Sequence, residues 1–140
     1  EEGHNKVTDT TAPYAEAITQ SLEASAASNI DPTPLIYERL FALHPDMEAL
    51  FVMDKDGGVR GSMIQTCLEC ILDLIGERRT APVIIQAARM DHTGYGVSED
   101  LFDTLFVAMR DVFRDQLGPG WTPKIDTAWS DMLTEIECFK

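Results

Sequence analysis

Apolar residues recur along this chain three and four positions apart, and glycine and proline divide the pattern into segments of helical length. No stretch alternates apolar with polar as a half-buried strand does. The Ala-rich run from Pro13 to Ser28 sets Ile18 and Leu22 one turn apart behind Thr11, a candidate N-cap. Asp31 before Pro32 pairs a capping residue with proline at the first helical position, and Leu35, Ile36, Leu40 and Leu43 follow on a wide apolar face. His44-Pro45 breaks that helix and opens a short one through Leu50 and Phe51. Asp54 to Gly61, DKDGGVRG, reads as a mobile loop. From Ser62 a stripe of Ile64, Cys67, Leu68, Ile71 and Ile75 marks the next helix, with Gly76 just past its end. A shorter helix runs from Pro82 to about His92, with Ile84, Ile85 and Ala88 on one side. Ser98 caps the longest stripe, Leu101 to Gln116, and Thr122-Pro123 starts a last helix through Ala128, Trp129, Met132 and Ile136. The expectation is an all-α fold of six to seven helices with short links. No segment repeats at a fixed period, so a solenoid is not expected.

Composition narrows the picture. The 140 residues suit one domain, and 44% of them are apolar, enough for a real core. Residues 1–12 contain no apolar run and read as a flexible N-terminal tail rather than a signal peptide, which leaves 13–140 as the folded domain. With 11 basic and 24 acidic residues the formal charge is −13, which argues against nucleic acid and against an anionic membrane surface. No window approaches the roughly 18 apolar residues of a membrane span. Three cysteines are an odd number in a domain large enough to fold without staples, which fits a reducing, cytoplasmic setting.

Candidate chemistry is sparse. The CLEC run from Cys67 to Cys70 lies inside a helical stripe, with no second pair and no histidine at ligand spacing, so it reads as core or half-buried thiols. A redox pair would sit at a helix N-terminus, where the thiolate is stabilised. GxSxG, HExxH and a phosphate-cradling glycine loop followed by lysine are all missing, so hydrolase and nucleotide chemistry have no support. His4 lies in the tail and His44 at a helix break. His92 ends a helix with an apolar face, where it is either a C-terminal residue attracted to the dipole or a metal ligand.

Three runs in order, IYERLFALHPDMEALF (Ile36 to Phe51), MDHTGYGVSEDLF (Met90 to Phe102) and LGPGWTPKIDTAW (Leu117 to Trp129), carry a family resemblance. From Ile30 to Ile136 the chain resembles the bacterial single-domain globins and the globin half of flavohaemoglobins. The resemblance implies a globin fold around a haem pocket. It puts His92 at the proximal haem ligand, Phe51 at the phenylalanine that packs on the haem plane, and Tyr37 at the distal tyrosine. Trp129 matches a tryptophan that opens the final helix and belongs to the core. The distal position usually held by glutamine or histidine falls on Arg60, flanked by Val59 and Gly61. Arg60 could reach a haem propionate, gate the entrance or be solvated, and Ile64, one turn on, would lie over the iron. Phe102 stands where relatives carry a tyrosine beside the proximal histidine.

By that resemblance the cofactor is non-covalent haem b, since no CxxCH attachment motif is present. A single neutral histidine leaves the sixth iron position open for O2 or NO. Tyr37 would donate to the bound ligand from a low-dielectric pocket. The leading expectation is reversible binding of O2 or NO by a monomer or homodimer, with no catalytic residue of its own. Any NO dioxygenation would need a separate reductase. The other reading is a haem-free, globin-like sensor or protein-interaction module in which His92 only caps its helix.

Overall fold

The computed structural model describes residues 12–94 and 103–139, of residues 91–94 the backbone only. Among the described residues six α-helices follow one another: α1 Ala15–Ala27, α2 Thr33–Leu43, α3 Gly58–Leu74, α4 Ala81–Gly94, α5 Thr104–Leu117 and α6 Pro123–Cys138. A 3-10 helix, Pro45–Phe51, links α2 to the loop before α3, and a single 3-10 turn, Gly118–Gly120, links α5 to α6. No strand occurs among the described residues. Ser98, Leu101 and Phe102 lie outside the described residues, so the expected start of the long α5 stripe does too.

The capping pattern explains most boundaries. Thr122 Oγ1 accepts from the Ile125 N–H at 3.2 Å, so that cap-plus-proline start forms as its residue types require; α2 starts at Thr33, one residue later than expected, with Pro32 at the cap position and Asp31 Oδ1 accepting from the Thr33 N–H at 3.0 Å from one residue further out. Proline at position 45 stops α2 and begins a tighter 3-10 run instead of an α-helix.

One further boundary differs from the expectation. Residues 58–61, expected in a loop, are the first turn of α3. Gly57 takes φ +78°, which turns the chain, and the Asp54 carboxylate then accepts from the N–H groups of Val59 at 3.0 Å and Arg60 at 2.9 Å. A carboxylate four residues before the first helical residue thus offsets the entropic cost of two glycines in the first turn. Gly76 stands just past the end of α3, as expected, and the left-handed residue that follows is Arg78, at φ +60°. Its guanidinium donates to the Leu74 carbonyl at 2.7 Å and to Tyr14 Oη at 3.2 Å, and it also pairs with Glu135.

α2 packs on α5, α1 on α5 and α6, and α3 on α4. Trp129, fully buried, anchors the lower core against Phe113, with ring centroids 5.7 Å apart. Its indole N–H donates to Ser21 Oγ at 2.9 Å, and Ser21 in turn donates to the Ile18 carbonyl, so no polar atom of this buried set goes unpaired. Asp111 of α5 is buried and accepts from Arg39 of α2 at 2.8 Å, tying the two helices that cross most closely. Arg89 of α4 is also buried. It donates to the Phe139 and Ile136 carbonyls and pairs with Asp103 at 2.6 Å, fixing α4 against the end of α6 and the approach to α5.

Candidate functional site

Between these helices lies one apolar cavity of about 380 Å³, within the ~300–1,000 Å³ usual for small-molecule and cofactor pockets. Phe51 and Met47 of the 3-10 helix form one part of its wall, and Leu105 and Phe106 of α5 another. α4 contributes Ile84, Ile85 and Ala88. α3 contributes a line of Val59, Met63, Cys67 and Cys70, with Ser62 and Thr66 as the polar lining residues.

The candidates from sequence fall into three groups. Phe51 lines the cavity. Tyr37 stands directly behind it, ring edge to ring face with centroids 5.4 Å apart, and Phe41 completes the aromatic cluster at 5.7 Å from Phe51. The buried Tyr37 hydroxyl donates to the Arg60 carbonyl at 3.0 Å. Burial, and next the neighbouring Cys67, push that hydroxyl well above the ordinary phenol range, so Tyr37 keeps its proton and remains a donor.

Arg60 is half-buried at the start of α3 and turned to Asp54: its Nε lies 3.1 Å from the carboxylate and its Nη2 donates to the Asp54 carbonyl at 2.8 Å. The Val59 N–H foremost, with the N–H and guanidinium of Arg60, holds the Asp54 carboxyl below the usual range. Ile64 is 3% exposed within the core. The cavity line on α3 runs one residue earlier than Arg60 and Ile64, through Val59 and Met63. His92 lies on α4, whose backbone continues to Gly94, but its side chain is outside the described residues, as is the whole of Phe102. Position 92 follows Ile84 and Ala88 at successive four-residue steps, the spacing that keeps residues on one helical face.

Met47 and Met63 are cavity residues that the sequence reading assigned no role in the site, while Cys67 and Cys70 fall within the stripe from Ile64 to Ile75 that was expected to line the pocket. The signal of Met63 was the four-, four- and three-residue spacing from Val59 to Cys70. It was hidden because Ile64, Leu68 and Ile71 extend the apolar stripe around the helix.

A helical bundle with an apolar, cofactor-sized cavity between α3 and α4 defines an α-helical pocket protein. The globin family model matches residues 35–137, most of the chain, and the chain belongs to the globin family. The fold is the all-α globin fold, and globins as a family bind haem and, with it, small gaseous ligands. The lining fits such a group: apolar and aromatic walls suit a flat macrocycle, and the α4 face that lines the cavity leads to position 92.

Proposed function

We propose that this chain is a globin of the bacterial single-domain type, holding haem b through His92 and reversibly binding O2 or NO. The observation that carries the reading is the α4 face: Ile84 and Ala88 line the cavity, and the next residue in that helical line is a histidine.

When bound, haem would supply an iron able to take a diatomic ligand, with His92 as the residue that would hold it. The remaining work belongs to the chain. His92 would hold the group through one ring nitrogen, and the other would need an acceptor to fix tautomer and orientation, for which the Ala88 carbonyl is one turn back in sequence. Arg89, buried and bonded to the end of α6, keeps that turn of α4 in place. Phe51 and Phe106 form apolar wall and exclude water. Val59 and Met63 present the α3 side of the cavity, Ile64 backs them from the core, and Phe102 is proposed to wall the proximal side. Tyr37 holds its proton on Oη and shares it with the Arg60 carbonyl, so serving a ligand requires that hydroxyl to turn towards the cavity past Phe51. Arg60, paired with Asp54, fixes the first turn of α3 beside the cavity. Any NO dioxygenation would draw electrons from a separate reductase.

The test is titration of the purified chain with haem, followed by visible absorption. Saturation at one equivalent is expected, with the histidine-ligated spectrum lost in His92→Ala. Failure to saturate would instead favour the haem-free sensor or interaction module. An unchanged spectrum in His92→Ala would remove His92 from the iron.

A further inference from the structure

Away from the cavity, the crossing of α2 and α5 gathers positive charge. Three arginines, Arg39 of α2 with Arg110 and Arg114 of α5, meet the single carboxylate of Asp111. Arg39 Nε lies 2.8 Å from Oδ2, and Nη2 of Arg110 and of Arg114 lie 3.0 and 3.5 Å from Oδ1. Three cations around one anion leave two positive charges in excess, in a chain whose formal charge is −13. We propose that Arg39, Arg110 and Arg114 bind one compact dianion of the phosphate class, either free phosphate or the head of a phosphomonoester.

The geometry leaves donors to spare. The Asp111 side chain is only 5% exposed, whereas those of Arg39 and Arg114 are each 43% exposed, so the cluster turns its cations to solvent and its one anion inward. Arg39 donates to Asp111 through Nε, and Arg114 stands off at 3.5 Å, which leaves guanidinium N–H groups of both to serve a second acceptor. Among the described residues no other carboxylate pairs with any of the three. Glu38 and Asp115, next in sequence to Arg39 and Arg114, are exposed and bridge to neither there.

Size and charge select the ligand. The planar guanidinium fork matches phosphate oxygens two at a time. All three forks surround one carboxylate, so they define a spot the size of a ligand head rather than a groove. The acidic remainder of the molecule repels an extended polyanion, and a monoanion leaves one charge unmatched. A dianion brings the cluster to neutrality. None of the four residues is among those that line the cavity, so the site does not depend on what the cavity holds.

The test titrates the full chain with inorganic phosphate at about pH 8, where phosphate carries its second charge, and follows the arginine Nε–H NMR signals. Chloride is withdrawn as phosphate is added, to hold ionic strength constant. The expected result is a saturable, one-site shift at Arg39, Arg110 and Arg114 that sulfate reverses and nitrate does not. Arg114→Gln and, on the other helix, Arg39→Gln should each weaken binding about tenfold or more, the loss of a charge-assisted hydrogen bond. Lys124→Gln, at an exposed cation paired with Glu16, should leave it unchanged. Where one arginine variant fails to fold the other decides, and unchanged affinity in a folded variant overturns the site. Shifts that never saturate, that nitrate reverses as well as sulfate, or that Lys124→Gln abolishes also overturn it, because they report only general screening. Glycerol phosphate titrated in parallel separates the two sources: tighter binding than inorganic phosphate assigns the site to a phosphomonoester, and equal or weaker binding assigns it to the free ion.

Discussion

At the scale of single residues, Asp54 and Tyr37 matter most because each holds the start of α3 beside the cavity. Asp54 accepts two backbone N–H bonds and an arginine, and its carboxyl is held below the ordinary aspartate value of about 3.9. A carboxyl depressed in the folded state contributes stability above the unfolded value and loses it as the pH falls through the folded value. Thermal unfolding should therefore show a steeper loss of stability below about pH 4 in the native chain than in Asp54→Asn. Equal acid slopes would contradict the capping role. Tyr37→Phe removes one buried hydrogen bond, to the Arg60 carbonyl, and should cost about 0.5–1.5 kcal/mol in urea denaturation. In the haem-loaded protein the same change should speed ligand dissociation, measured by stopped-flow displacement; an unaltered off-rate would leave Tyr37 as a structural tyrosine. Phe51 and Tyr37 were visible as candidates in the sequence because the run from Ile36 to Phe51 that holds both resembles globin sequences. That the Tyr37 hydroxyl is engaged by a carbonyl was not, since a backbone acceptor leaves no mark in side-chain identity.

At the scale of elements, the positions of all six described helices follow from apolar periodicity and from capping residues. The start of α3 was hidden because two glycines and mixed charge look like a loop, and only the reach of the Asp54 carboxylate across the turn makes them helical. The end of α3 lies where Gly76 marks it, just past the capping residue Ile75. Glycine is the usual left-handed residue after a helix, yet Arg78 takes that conformation because Tyr14, Leu74 and Glu135 hold its guanidinium. Those long-range partners also act back on Tyr14, whose hydroxyl is raised to about 12 by burial first and by Glu135 next. Both Arg78→Ala and Arg78→Gly lose these contacts, but glycine also relieves the left-handed strain. Arg78→Gly should therefore be the more stable of the two by about 1 kcal/mol in chemical denaturation; the opposite order would show that no strain is held there.

At the scale of the whole molecule, the bundle and its cavity are one construction: α2 on α5 and α1 on α6 build the base, and α3 with α4 enclose the space above it. The fold class was legible because every described helix carries its own apolar face. The composition of the cavity was legible only in part. A wide stripe on α3 leaves open which of its residues face the core and which the cavity, and packing settles that one position away from Arg60 and Ile64, on Val59 and Met63. The central claim is that position 92 supplies the bond that holds haem in this cavity. The most direct measurement is the resonance Raman spectrum of ferrous, ligand-free His92→Gly with and without added imidazole. The account predicts an iron–imidazole stretch in the native chain that disappears in the variant and returns when imidazole is supplied. A native chain without that band, or a variant that keeps it unaided, would contradict the account.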